Sequence, residues 1–389
     1  MFSRKTKLSM VKAVVTKNSP FYVQFFVSKF CDQNCQMCNI VKANADLSPF
    51  SIERMDKIAD NLVKIGVGVV LLTGGEPFLR SDLDLVVKSL TERNLDVRMQ
   101  SAGLMVLKEG LVKKCIKAGV RDINISLDSL DENLSDHING LKGSWRRAIK
   151  SIAMVSRLFP KDNSICALGC VLSPYNVDEI ESILKFATKI GWWLSLVPVH
   201  INSTEEAMNF RGKDKSFIFD KDGVNKVDKL MKKLKVMKRQ GYLLFDSDDY
   251  LDSVNYFVKT SKTNWRCKGK CDSPNLYFAI LPDGSFAPCA DHRLAEKIFL
   301  DDDNFPKIYN SRKFRDKVEE ITSECQGCDY GSYPEMSLSV RSSKTFWERL
   351  LLQFKVSKTS KRKLTEKSIL KLVDEIKNEH QTYYESLKF

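Results

Sequence analysis

Short β-rich runs alternate with helix-length stretches from about residue 20 to residue 200, and that alternation limits the fold of this 389-residue chain more than any other feature. The β-rich runs are residues 22–28, 68–73, 96–100, 122–127, 165–172 and 192–199, and the helical stretches are 51–64, 82–93, 108–118, 144–158 and 178–190. A strand that returns to a parallel neighbour needs a long crossover, usually a helix, so repeated βα units predict a parallel sheet with helices packed on it. Six units are too few to close an eight-stranded barrel and enough for an open, partial one. Single cores stop growing near about 250–300 residues, so a second, smaller module is expected downstream.

Directly after the first β-run comes Phe30-Cys31-Asp32-Gln33-Asn34-Cys35-Gln36-Met37-Cys38, a C-x3-C-x2-C spacing. Three thiolates on one loop can wrap one face of an iron–sulfur cubane, leaving its fourth iron without a protein ligand. Structural zinc closes with four ligands, and a disulfide reading leaves one of three cysteines unpaired. After the second β-run comes Leu71-Leu72-Thr73-Gly74-Gly75-Glu76-Pro77. Its glycines let backbone approach a ligand closely, and its carboxylate can accept hydrogen bonds from an ammonium group. Alone this would be a tight turn; its position one βα unit after the cysteine loop gives it weight.

Asn124-Ile125-Ser126-Leu127-Asp128 ends the fourth β-run, and Asp136-His137-Ile138-Asn139-Gly140 with Gly143-Ser144 follows it. Together these segments resemble the radical S-adenosylmethionine (SAM) superfamily over about residues 20–200. The resemblance implies a partial (β/α)6 TIM-like barrel in which Cys31, Cys35 and Cys38 hold a [4Fe–4S] cluster and SAM chelates the open iron. It further implies that Gly74, Gly75 and Glu76 meet the methionyl amino group and that Ser126 lies near the ribose or carboxylate. Met37 stands where the family often has an aromatic residue and would pack against adenine. Reductive cleavage of SAM to methionine and a 5′-deoxyadenosyl radical, followed by abstraction of a substrate hydrogen, is the implied chemistry. His137 is expected to order its loop rather than to act as an acid or base.

A second set of cysteines brackets a hairpin. Residues 275–281, the turn Pro282-Asp283-Gly284 and residues 285–288 read as strand, tight turn and strand. Twelve residues separate Cys271 from Gly284, four more lead to Cys289, and Cys325-Gln326-Gly327-Cys328 follows. Four thiolates close a site for an iron–sulfur cluster or for structural zinc. The arrangement resembles the shortened twitch form of the SPASM domain, which implies one auxiliary [4Fe–4S] cluster on Cys271, Cys289, Cys325 and Cys328. Cys267 competes with Cys271 for that place, and spacing to Gly284 favours Cys271. Cys115 reads as a buried small hydrophobe, whereas Cys166 and Cys170 share one face of the fifth β-run and could return a hydrogen atom to a substrate radical if that face lines the barrel.

The expected organisation is an N-terminal extension (1–20), the barrel (21–200), a helical connector (201–260), a twitch/SPASM-like domain (261–335) and a basic helical tail (336–389). No apolar run reaches the ~20 residues of a membrane span, and the opening residues do not form a secretory leader, so a cytoplasmic enzyme is expected. The net charge of +13 comes without a nucleic-acid motif and sits largely in lysine-rich stretches, so no nucleic-acid partner is expected and a membrane surface is disfavoured. The expected partners are an electron donor such as flavodoxin or ferredoxin and a substrate. A small molecule such as a sugar or aminoglycoside is favoured for oxidation or epimerisation, because only about thirty residues precede Cys31. The alternatives are a peptide- or protein-modifying maturase and a non-enzymatic iron–sulfur or zinc protein.

Overall fold

The computed structural model describes residues 3–160, 164–201, 210–358 and 363–386. The six β-runs form β1 (Tyr22–Ser28), β2 (Val69–Gly74), β3 (Asp96–Ser101), β4 (Asp122–Ser126), β5 (Cys166–Leu172) and β6 (Trp193–Pro198), with β7 (Tyr277–Ile280) and β8 (Phe286–Ala287) flanking the Asp283-Gly284 turn. Neighbours β1 to β6 pair in sequence order and all in parallel. The sheet is therefore open and of α/β type, as the alternation predicts. Helices Met55–Ile65, Leu83–Glu92, Glu109–Ala118, Ser144–Leu158 and Ile180–Ile190 supply the crossovers.

Each crossover helix buries one stripe. On Met55–Ile65 the buried apolar residues are Met55, Ile58, Ala59, Leu62 and Ile65, the spacing of a single helix face. They meet the outward side chains of the sheet, such as Val23, Phe25 and Val27 of β1, in one continuous core. The other face of the sheet encloses the lumen.

The hairpin does not stand apart from this sheet. β7 pairs in parallel with β1, from Tyr22↔Tyr277 to Phe25↔Ile280, and β8 returns antiparallel to β7. One eight-stranded sheet results, in the order β6-β5-β4-β3-β2-β1-β7-β8. Without β7 the outer edge of β1 would present unpaired N–H and C=O groups. The opposite edge is covered too: Leu194 of β6 donates to the Leu243 carbonyl at 2.8 Å, and Phe245 donates to the Leu194 carbonyl at 2.8 Å. The stretch between helices Lys221–Arg239 and Asp248–Thr260, expected as part of a connector, thus seals β6.

The C-terminal stretch is helical and docked. Ile369, Val373 and Ile376 of helix Glu366–Ser386 are buried in the main core, and Lys377 pairs with Asp131 at 2.8 Å. Among the described residues no helix is long and apolar enough to cross a membrane. Because β7 belongs to the main sheet and Phe278 is fully buried in its core, Phe278→Ala should cost about 3–5 kcal/mol. Urea unfolding followed by circular dichroism and by tryptophan fluorescence should give one coincident, weakened transition; two separated transitions in the variant would show the hairpin to be an independent unit.

Candidate active site

Backbone contact, not side chains, fixes the cysteine loop. Gly74 has φ +143°, and a Cβ there would lie 2.4 Å from the Ser28 carbonyl oxygen; a Cβ on Gly75 would lie 2.0 Å from that of Phe30. No larger residue fits at either position without moving the loop. The approach is held by Gly75 N–H to Ser28 O at 2.9 Å and Glu76 N–H to Phe30 O at 2.7 Å. From the other side Asn34 N–H donates to the Asn139 carbonyl at 3.1 Å, Arg147 pairs with Asp32 at 2.7 Å, and Gln33 donates to the Ala102 carbonyl at 3.1 Å. The loop is clamped between the ends of β2, β3 and the helix following β4.

Cys31, Cys35 and Cys38 all face one cavity of about 300 Å³. Burial pushes the Cys31 thiol up to about 12, with Glu76, Asp32 and Cys38 adding to the rise. Burial also raises Cys35, where Cys38, Asp128 and Cys31 add to it, and Cys38. Thiolates gathered in such a place need a cationic metal beside them, and a three-thiol loop opening on a cavity suits a cluster with one iron left for another ligand. Among the described residues no three His, Cys, Asp or Glu side chains already converge as ligands of a metal ion.

Gly74, Gly75, Met37 and Ser126 line the same cavity. Glu76 is not among the lining residues. Its carboxylate is fully buried and accepts from Phe78 N at 3.0 Å, Ala102 N at 2.8 Å and Ser101 Oγ at 3.1 Å. Burial raises it to about 7 in spite of those bonds. Glu76 ties the end of β2 to the end of β3.

Deeper in the cavity the wall is polar. Arg98 and Gln100 of β3 and Asp122 and Asn124 of β4 line it in facing pairs, Arg98↔Asp122 and Gln100↔Asn124. Asn124 Oδ1 is buried without a hydrogen-bond partner, and Arg98 reaches Asp122 only at 3.6 Å. Phe245 lies between two guanidinium groups, Arg98 at 5.4 Å and Arg349 at 4.1 Å from its ring centre. Beside it, burial, the nearby Glu335 charge and little else push Asp246 up to about 7, although Ser195 Oγ and Leu196 N donate to it at 2.9 and 2.7 Å. None of these lumen residues was singled out from the sequence.

The two cysteines of β5 share one face, as the alternation predicts. Cys166 and Cys170 pack with Leu168 and Leu172 into the helix-side core, while Ala167, Gly169 and Val171 take the lumen face. Cys170 borders the cavity, but its sulfur accepts from Asn176 at 3.6 Å. Cys115 is buried in the core as expected. His137 rests against Tyr175 and does not line the cavity.

Cys271, Cys289, Cys325 and Cys328 come together: on top of burial, Cys325 raises the Cys271 thiol, Cys325 and Cys271 raise Cys289, and all three raise Cys328. Cys267 is exposed. Burial would raise Cys325 as well, but His292 and Arg266 outweigh it and bring that thiol down to about 6.

An open α/β barrel whose mouth carries a three-cysteine loop against a glycine pair defines a class, and the comparisons agree on which. The sequence profile of the Radical SAM superfamily matches residues 25–187, so that region is a radical SAM domain, of a superfamily that works with a [4Fe–4S] cluster and SAM. The chain is 29% identical over 189 residues to the "Probable GTP 3′,8-cyclase" of Pyrococcus abyssi (strain GE5 / Orsay), covering 47% of this chain and 58% of that one. It is 23% identical over 180 residues to the AdoMet-dependent heme synthase of Methanosarcina barkeri (strain Fusaro / DSM 804), covering 46% and 50%. The chain thus spans little more than half the length of these curated relatives. The crystal structure of Streptococcus suis SuiB bound to S-adenosylmethionine shares the fold, with a TM-score of 0.61 at 14% identity over 87% of this chain and 79% of that one.

Gly75→Ala should cost about 1–3 kcal/mol of stability through the displaced loop, whereas Gly110→Ala, with nothing within 4 Å of the new Cβ, should not lower the melting temperature. Equal melting temperatures for the two would contradict the close approach. Asp246 generates a pH dependence. Its native pKa is raised, so the folded state holds the proton more tightly than the unfolded chain, and its contribution to stability falls as pH rises from the ordinary carboxylate range to about 7. Asp246→Asn should flatten the slope of unfolding free energy across that window, measured by urea melts at several pH values; an unchanged slope counts against the assignment.

Proposed function

We propose that this protein is a radical SAM enzyme that oxidises a small polar molecule held in the barrel lumen. The observation that carries the reading is that three thiols, a glycine pair and a polar wall all open on one cavity. Cys31, Cys35 and Cys38 would hold the cluster, Gly74 and Gly75 would admit the methionyl end of SAM by backbone approach, and Met37 and Ser126 would flank its adenosyl part. When bound, the cluster and SAM supply a 5′-deoxyadenosyl radical that takes a hydrogen atom from the substrate. The chain's own part is to orient the substrate and keep water out. Arg98, Gln100, Asp122 and Asn124 offer hydrogen bonds that a substrate rich in hydroxyl, amino or carboxylate groups would satisfy. Met37, Ile138 and Val199 pack together as an apolar cluster beside the cysteine loop and limit solvent there.

One observation favours oxidation over epimerisation. The four-thiol group at Cys271, Cys289, Cys325 and Cys328 offers a place for an auxiliary cluster that can take up the remaining electron. The net charge of +13 suits an acidic donor of the flavodoxin or ferredoxin kind. A second reading, modification of a peptide, is favoured by the fold shared over 87% of the chain with SuiB, which has also been solved bound to its precursor peptide SuiA.

Anaerobically reconstituted protein given SAM and dithionite should release 5′-deoxyadenosine. The Cys31→Ala, Cys35→Ala, Cys38→Ala triple variant should release no more than a protein-free control. Wild-type yield from the triple variant would end the assignment. Adding sugars, aminoglycosides and short peptides in turn, and following which one accelerates SAM consumption, separates the two substrate readings.

A further inference from the structure

We infer that Arg266 and Tyr277 are positioning residues that raise the reduction potential of the cluster held by Cys271, Cys289, Cys325 and Cys328. The inference rests on the auxiliary cluster proposed above. Arg266 donates from Nη2 to Cys325 Sγ at 3.1 Å and from Nη1 to the Cys325 carbonyl at 3.0 Å, so its fork grips the thiol and its backbone together. The segment carrying it is held in turn: Trp265 is buried and donates from Nε1 to the Cys328 carbonyl at 2.7 Å. On the far side the Tyr277 hydroxyl meets Cys271 Sγ at 3.1 Å. With a thiolate there, the hydroxyl donates.

Tyr277 cannot swing away. Its ring is fully buried and stacks on Tyr333, with centroids 4.4 Å apart and planes 18° apart. The Tyr333 hydroxyl donates to Gln24 Oε1 at 2.5 Å, and Gln24 lines the lumen. The ligand sulfur, the two rings and the lumen wall are therefore in unbroken contact.

Reduction adds one electron to a group already bearing four thiolates. A fixed positive charge and hydrogen bonds to the ligand sulfurs stabilise that added charge, and they count for more in a buried site than in water. Arg266 and Tyr277 supply one of each, to two different ligands. The potential is thereby shifted toward accepting an electron from the lumen side.

The test is potentiometry followed by electron paramagnetic resonance on the full chain, anaerobically reconstituted, in a Cys31→Ala, Cys35→Ala, Cys38→Ala background so that only the second site is read. Arg266→Gln should lower the midpoint by about 59 mV or more, which is roughly tenfold in the reduction equilibrium. Arg266→Lys, which keeps the charge and loses the fork, should fall between Arg266→Gln and the parent. Tyr277→Phe keeps the ring stack and should lower the midpoint by a smaller amount; it decides the matter if the Arg266 variants fail to load iron. Variants that bind as much iron as the parent and titrate at its potential overturn the inference while leaving the auxiliary cluster in place. A parent background that binds no cluster overturns both.

Discussion

The parallel pairing of β1 on both of its edges is the constraint from which the rest of the site follows. A strand bonded to β2 on one side and β7 on the other cannot slide or tilt without breaking two ladders. Its C-terminal end is therefore a fixed point, and the cysteine loop leaves from it. The same pairing brings β7, and with it the second group of cysteines, onto the sheet that carries the first. The two groups are placed by neighbouring ladders rather than by a linker.

Burial gives the lumen its character. Parallel sheets covered on both faces are usually apolar throughout, and β1 and β2 obey that rule with every residue buried. β3 and β4 do not: Asp96-Val97-Arg98-Met99-Gln100-Ser101 and Asp122-Ile123-Asn124-Ile125-Ser126 alternate, with the apolar members in the helix-side core. In a half-solvated sheet the polar positions would face water. Here they face the cavity, where a buried unpartnered atom such as Asn124 Oδ1 costs more than at a surface. Arg98, Gln100 and Asn124 retain hydrogen-bonding capacity at that cost, which is the usual signature of a binding wall rather than of a stabilising network.

That alternation was present in the sequence and is the signal through which the lumen could have been found. Reading β3 and β4 as part of a doubly covered parallel sheet leaves their polar members unexplained, and the explanation is the cavity. The strands themselves were legible to within a residue or two because helix and strand periodicities differ sharply and each β-run is bounded by turn residues. The cysteine loop and the glycine pair were legible because their spacing is short and local. The bonds Glu76 accepts from Phe78, Ser101 and Ala102 were not legible, because sequence does not show which backbone and hydroxyl groups the fold brings to a carboxylate. The face of Cys166 and Cys170 was equally hidden: period-two alternation puts them on one side of β5, and only the packing of Leu168 and Leu172 says which side that is. Continuity of the hairpin with the main sheet depends on β1 pairing with β7 across some 250 residues of chain, a contact no local pattern encodes.

The two cysteine groups sit in different electrostatic surroundings. Around the first, Glu76 and Asp32 act on Cys31 and Asp128 acts on Cys35, so carboxylates add to what burial does. Around the second, Arg266 and His292 draw Cys325 down against burial, while Asp291 adds to what burial does at Cys289 and Cys328. One sheet thus carries two thiol groups in different surroundings, the first lining the lumen and the second gripped at Cys325 by Arg266.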